Sequence, residues 1–308
     1  MTSLEAFDNF GRPIQQCVLP LVAKVDDQLF PVGTGFVINA SGLFVTAAHV
    51  LEEAFSKAIR RKGVDGKYYN HYEFYAIYVS DEPLPDIDAT VGGLLPIDHV
   101  WAPAELDIGF GWLRLPRRLS DNEPLPTYPV RIRPAVPKLG TNIVALGYYK
   151  MAGSMKVGGQ AVIEYAQQTA ISKGTIQEVF PEFRDKVMLS FPCFRTDARF
   201  EPGMSGAPIF DEAGNVLGVV CSAIDSAGDT AQFISHGSLI WPIFGCQVDI
   251  AKTPEAPSEK TLLYDLARDG SLLTDDTFDH LSVTTNTSGS RTIRISIPHD
   301  VRASDAAK

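Results

Sequence analysis

A chain of 308 residues, 45% of them hydrophobic, can bury a large core, either as one sizeable β unit with an appendage or as two domains. Its net charge of −10 argues against general affinity for nucleic acid or anionic membrane, although Lys57, Arg60, Arg61 and Lys62 form a local basic patch. No apolar stretch approaches bilayer length, the N-terminus lacks the basic-then-apolar pattern of a secretory signal, and Cys17, Cys193, Cys221 and Cys246 lack the short paired spacing of a zinc site.

Short apolar or alternating runs between turn residues predict an all-β chain. In the first half, strands are expected over 17–25, 29–38, 43–46, 74–79 and 108–113. Residues 48–62 read as a helix with Glu52, Glu53, Lys57 and Arg60 on its wet side and Gly63 at its end. The stretch 63–105 is rich in aromatics (Tyr68, Tyr69, Tyr72, Phe74, Tyr75, Tyr78) and later carries Pro83 and Pro85. A structureless segment of that length would be unusual, so strands and a loop are expected within it.

Pro116, Pro124, Pro126, Pro129, Pro134 and Pro137 mark a linker, because proline cannot donate to a strand ladder. The second half offers strands over 142–149, 162–172, 175–180, 187–191, 207–210, 216–222 and 233–240, with the hairpin turn Asp211-Glu212-Ala213-Gly214-Asn215. A second linker is expected at 251–257. Ser258 is placed to cap a short helix running to Asp269, with Gly270 just past its end. Residues 280–286 and 292–297 flank the turn 287–290 and predict a hairpin with Ile293, Ile295 and Ile297 on one face. A lone hairpin is marginal in water and a bare apolar face invites association, so this tail should dock on the body or across a protein–protein contact.

Three segments carry chemistry. His49 ends the apolar run Phe44-Val45-Thr46-Ala47-Ala48 where it opens into the helix. Asp107 stands before the buried run Ile108-Gly109-Phe110-Gly111-Trp112-Leu113, and Ser205 lies in Gly203-Met204-Ser205-Gly206-Ala207-Pro208. A serine hydroxyl becomes a nucleophile only when a base takes its proton; an imidazole is that base and a carboxylate fixes its tautomer. Asp98, Asp86 and Asp88 are rivals to Asp107 but lie in polar surroundings, where a carboxylate is usually just solvated.

On these motifs, residues 15–248 resemble the trypsin-like serine proteases of the chymotrypsin fold, and most resemble their disulfide-free, HtrA-like branch. The resemblance implies two six-stranded antiparallel β-barrels with the active site between them. The protease domain would span 12–250 (barrel one 12–116, linker 117–138, barrel two 139–250), with a C-terminal extension over 251–308 holding the short helix and hairpin. It implies a serine endopeptidase with His49, Asp107 and Ser205 as the triad, and the N–H groups of Gly203 and Ser205 as the oxyanion hole. Asp197 would brace the nucleophile loop. Met204 and Ala207 depart from the usual Asn or Asp and Gly, at positions that supply no catalytic side chain. The pocket would involve Arg199, Phe200, Cys221, Ser222 and Ala223. An inward Arg199 would favour acidic side chains; the preferred reading turns it to solvent and suits small or medium apolar ones. The length left after residue 250 is too short for a PDZ-like domain. Val50 stands where secreted relatives carry a disulfide cysteine, so free thiols and a reducing, cytoplasmic location are expected.

No cofactor or metal is implied, and no phosphate-cradling loop is present. The expected partner is a protein or peptide substrate, with no nucleic acid and no membrane. The C-terminal extension leaves room for an activating partner or a homo-oligomer contact. An α/β-hydrolase would need Gly-x-Ser-x-Gly and a histidine after the serine, which this motif order does not give. The remaining alternative is a latent or inactive protease fold serving as a binding or regulatory module.

Overall fold

The structure is a computed structural model that describes residues 16–26, 28–62, 64, 67–71, 73–83, 90–116, 124, 127–157, 161–225, 233–250, 259–285, 287 and 291–297. The first half runs β1 (Val18–Val25), β2 (Gln28–Val37), β3 (Leu43–Thr46), α1 (Ala48–Ser56), β4 (Ile59–Lys62), β5 (Tyr68–His71), β6 (Glu73–Pro83), β7 (Thr90–Trp101) and β8 (Gly109–Leu113). The second runs β9 (Asn142–Val157), β10 (Ala161–Phe180), β11 (Cys193–Thr196), β12 (Pro208–Phe210), β13 (Val216–Asp225) and β14 (Phe233–Leu239). The C-terminal segment adds β15 (Gln247–Ile250), β16 (Glu259–Leu262), α2 (Leu263–Arg268), β17 (Leu281–Thr285) and β18 (Arg291–Ile295).

Hydrogen bonding closes the strands into two antiparallel rings. The order β1-β6-β7-β8-β3-β2 returns to its start through the β1–β2 pairing, and β9-β10-β11-β14-β13-β12 closes through β9–β12. Closure removes sheet edges, which an all-β chain must otherwise protect. The barrels are continuous with each other where Gln28 and Leu29 of β2 pair with Ser154 and Gly153 of β9. The stretch 127–141 forms no strand ladder; at Ile132 it bridges Val216 of barrel two and Thr274 of the tail.

Several elements differ from the sequence expectation for identifiable reasons. Helix α1 stops at Ser56, because Lys57 and Ala58 N–H turn back to Ala54 and Phe55 carbonyls in tight i→i−3 bonds. Residues 59–62 then pair as β4 with β5. Residues 187–191 form no strand: Asp185 Oδ1 accepts the N–H groups of Val187 (2.9 Å), Met188 (2.6 Å) and Leu189 (3.4 Å), taking the donors a ladder would need. The ladder is made instead by β11, and the two strands expected over 162–180 are one strand, β10. Residues 259–262 pair as β16 with β15, so α2 begins only at Leu263; Gly270, at φ 83°, stands just past its end as expected. Ser258 and residues 251–257 lie outside the described residues.

The tail is part of the packed body. Leu263, Leu266, Ala267, Leu272 and Leu281 are buried in the main hydrophobic cluster, and Ile293 and Ile295 pack against it. Ile132 N–H donates to Leu273 carbonyl (2.8 Å) and Asp275 N–H returns to Ile132 carbonyl (3.0 Å). Leu263→Ala should therefore lower stability by about 2–5 kcal/mol, read as a drop in urea midpoint and Tm. An unchanged midpoint would show that the tail contributes nothing to the fold.

One buried polar group is conspicuous. His236 of β14 is fully buried, and neither ring nitrogen has a hydrogen-bond partner among the described residues. Burial, helped by the charges of Arg184 and Arg195, pushes its pKa down to about 4. Below its unfolded pKa of about 6.5 the unfolded chain binds the proton more readily, so stability is complete above that pH and is lost as pH falls toward 4. His236→Leu should remove this contribution. The wild-type urea midpoint should fall relative to the variant's between pH 6.5 and 4, and parallel curves would refute the assignment.

Candidate active site

His49 is held by two rigid elements. Strand β3 is buried along its whole length and delivers the chain, through Ala47, into the first turn of α1. Thr46 pairs with Gly109 of β8, so the antiparallel register brings the residues just after Thr46 beside those just before Gly109. Asp107 thus meets His49. Both carboxylate oxygens lie 3.0 Å from His49 Nδ1, and Oδ1 also accepts the His49 backbone N–H at 3.2 Å. The carboxylate caps the helix start and orients the ring together. Asp107's side chain is 12% exposed and the imidazole 41%. Burial acts to lower the His49 pKa, but the hydrogen bond and charge of Asp107, with a contribution from Glu52, leave it raised above 6.5.

The rival Asp98 is engaged elsewhere, in a two-point contact with Arg114 Nε (2.9 Å) and Nη2 (2.8 Å). Asp86 and Asp88 lie outside the described residues. Asp197 accepts the Thr175 N–H at 2.6 Å and contacts the Thr175 hydroxyl and the Gln177 amide, so it fastens β10 to the segment leading to Ser205.

Ser205 sits in a turn that needs two glycines. Gly203 and Gly206 have φ of 100° and 83°, and a Cβ on Gly206 would collide with Thr34 carbonyl and Thr46 Oγ1. Between them Met204 is fully buried in the core of barrel two, an apolar anchor where the motif expectation has a polar residue. The turn's donors divide by position. Met204 N–H donates to Glu201 carbonyl (3.0 Å), Gly206 N–H to Val220 carbonyl (2.9 Å) and Ala207 N–H to Met204 carbonyl (2.8 Å). Among the described residues no acceptor takes the N–H of Gly203 or Ser205.

The Ser205 loop and the His49 segment abut. A Cβ added to Gly33 of β2 would lie 2.7 Å from Val50, next to His49, and 2.8 Å from Ser205 carbonyl. No hydrogen bond joins the Ser205 hydroxyl to the His49 ring, so the structure brings the two segments together without closing that contact.

Beside Ser205 opens a cavity of about 280 Å³ lined by Arg199, Phe200, Glu201, Pro202, Ser205, Val220 and Ser222. Arg199 lies at its rim with its side chain 56% exposed and Nε 3.1 Å from Glu201. Its backbone carbonyl accepts from Ser172 Oγ. The sequence expectation needs one correction: Cys221 is not on this wall. The β13–β14 register slips between Val220 and Ser222, leaving Cys221 as the extra residue. It packs with Phe180, Leu189, Phe191 and Cys193, and burial, then the charge of nearby Asp107, raises its thiol pKa. Val220, Glu201 and Pro202 take its place in the lining; Val220 and Ser222, two apart, share the cavity face and Cys221 between them does not. Ala223 lies in β13, but its side chain is outside the described residues.

The four cysteines are free thiols; burial pushes Cys17, Cys193 and Cys246 up to about 12 and Cys221 well above its ordinary value. Among the described residues no group of three metal-ligating side chains is found.

The profile of the trypsin-like peptidase domain family matches residues 33–219. The chain is 26% identical over 189 residues to the mitochondrial serine protease HTRA2 of Bos taurus, covering 61% of this chain and 30% of that protein, so it spans under a third of that relative. Among solved structures it is similar to the Rv3671c protease of M. tuberculosis (19% identity, TM-score 0.44, 77% of this chain and 82% of that one). It is also similar to the MamO protease domain of Magnetospirillum magneticum (13%, TM-score 0.44, 73% and 93%). With the family profile covering more than half of the chain and reaching from barrel one into barrel two, this chain belongs to the trypsin-like peptidase family.

Proposed function

We propose that the chain is a serine endopeptidase that hydrolyses peptide bonds through an acyl-enzyme, with His49, Asp107 and Ser205 as its triad. The observation that carries this reading is the His49 ring gripped at Nδ1 by both oxygens of Asp107, beside the turn that holds Ser205. A carboxylate on Nδ1 keeps the proton there and leaves Nε2 basic. Nε2 takes the Ser205 hydroxyl proton as Oγ bonds to the scissile carbonyl carbon. The carbonyl π electrons move onto oxygen, where the free N–H groups of Gly203 and Ser205 stand as donors; one such donor is worth about 3 kcal/mol. On collapse the C–N bond breaks and the imidazolium gives its proton to the leaving amine. Water then repeats the sequence against the acyl-enzyme. The step needs no metal or cofactor.

The cavity beside Ser205 would receive the side chain preceding the scissile bond. Phe200 and Val220 supply apolar wall, and Arg199 is paired with Glu201 at the rim, which supports small or medium apolar side chains as the preferred class. The substrate is a protein or peptide. Four free thiols fit a reducing, cytoplasmic setting, which we propose as the location.

A fluorophosphonate probe with a peptide-library assay tests the reading. Wild type should label at Ser205 and cleave, and Ser205→Ala should lose about 10⁴–10⁶-fold in turnover with its fold retained. Cleavage by Ser205→Ala within tenfold of wild type would remove the assignment; absence of labelling under all conditions would favour the inactive binding module.

Asp107→Asn should cost about 10⁴-fold, because an amide donates where the ring needs an acceptor, whereas Asp98→Asn should be near silent. The base must be neutral, so kcat/KM should fall on the acid side with an apparent pKa above 6.5. Residual activity of Asp107→Asn should show that limb moved to lower pH, since the raising influence is gone. The reverse ranking of the two variants would transfer the role to Asp98.

A further inference from the structure

Thr34 of β2 lies on barrel one, yet three of its atoms reach the machinery of the proposed site. It is fully buried. Its N–H donates to Ser205 carbonyl at 2.8 Å. Its hydroxyl donates to Gly203 carbonyl at 2.9 Å and accepts the N–H of Tyr148, on β9 of barrel two, at 3.3 Å. Its carbonyl accepts from Thr46 Oγ1 at 2.7 Å, three residues before His49. One residue therefore touches the strand end before the candidate base, the frame of the second barrel, and the carbonyls of the two residues whose N–H groups are unclaimed.

We propose that Thr34 is the positioning residue of the oxyanion site, its hydroxyl and amide pinning the Gly203 and Ser205 carbonyls and so turning the Ser205 N–H between them toward the cleft. The inference rests on the protease reading above. Its physical basis is peptide planarity, which places C=O and N–H on opposite sides of each trans unit. The 203–204 peptide is pinned at both ends, its carbonyl by the Thr34 hydroxyl and its N–H by Glu201 carbonyl. The 205–206 peptide is pinned by Thr34 N–H and by Val220 carbonyl. The intervening 204–205 peptide has its carbonyl on Ala207 N–H, which leaves the Ser205 N–H pointing the other way. Fixing these planes fixes the direction of the Ser205 N–H between them; the Gly203 N–H belongs to the preceding 202–203 peptide and follows the turn through Gly203. A valine fills the same space as threonine but can neither donate to Gly203 nor accept from Tyr148, so it would release one plane and leave the Tyr148 N–H unpaired.

The test compares wild type, Thr34→Val and Thr34→Ser as full chains, with peptide kinetics, the rate of fluorophosphonate labelling, and Tm measured in parallel. Thr34→Val should lower kcat about 10- to 100-fold with KM within about threefold, and slow labelling alongside kcat, since a misaimed donor weakens only the transition state. Thr34→Ser keeps the hydroxyl and should stay within about threefold of wild type. A Thr34→Val kcat within twofold of wild type, whatever its Tm, would overturn the proposal, as would Thr34→Ser losing as much as Thr34→Val. Should Thr34→Val not fold, Thr34→Ala removes the hydroxyl without added bulk and is read in the same way. A wild type that neither cleaves nor labels would instead sink the protease reading itself, and Thr34's role with it.

Discussion

Everything at the proposed site depends on how closely the Ser205 turn can approach the first barrel. Gly206 stands where any side chain would strike Thr34 and Thr46, and Gly33 stands between Val50 and Ser205 carbonyl. Two positions without a Cβ let backbone meet backbone across the barrel seam, and the Thr34 N–H to Ser205 bond fills the gap. This contact is made from main-chain atoms of a rigid strand, so its geometry is inherited from barrel closure rather than from mobile side chains. Met204 completes the arrangement from the other side. Its fully buried side chain holds the turn by apolar contact within barrel two, where a polar residue would need a partner.

Asp107 shows how one carboxylate can serve two elements. It satisfies an otherwise unpaired N–H at the start of α1 and faces the ring one bond further out. Because it is largely buried, its charge acts on His49 through a medium that screens less than water. Burial, and then the same charge, raises the thiol pKa of nearby Cys221. Cys221 is the extra residue at the β13 register shift, and Val220 and Ser222, two apart on that strand, line the cavity together.

Much of this was readable from the residues, and most of the parts that were not share a cause. The strands carrying His49 and Asp107 are short, apolar and bounded by turn residues, so their period and ends show in the sequence. The Asp211 turn shows too: Oδ1 accepts the N–H groups of Ala213 and Asn215, both at 2.9 Å, as a turn-forming aspartate does. The failures lie where a tertiary contact outweighs local pattern. Residues 59–62 carry charges at helical spacing but meet a strand partner, and 187–191 look extended yet lose their donors to the Asp185 carboxylate. At the pocket wall alternation does hold, since Val220 and Ser222 line the cavity and Cys221 between them does not; expecting consecutive residues of β13 on one wall ran against that period.

The tail illustrates the same point from the other direction. Its isoleucine alternation announced a hairpin, but alternation cannot say what the apolar face covers. Ile293 lies beside Gly245 and packs, with Ile295, on the main core, while residues 273–275 of the tail meet the proline-rich stretch between the barrels. That stretch cannot sustain a ladder of its own, so at Ile132 it takes one bridge from barrel two and one from the tail. Arg133, next in sequence, pairs with Asp211 at 2.7 Å, and Asp211 is itself buried at the turn after the Ser205 strand. Asp275 of the tail lies 3.8 Å from the same guanidinium. A segment with few donors is thus held by neighbours on both sides, barrel two and the tail.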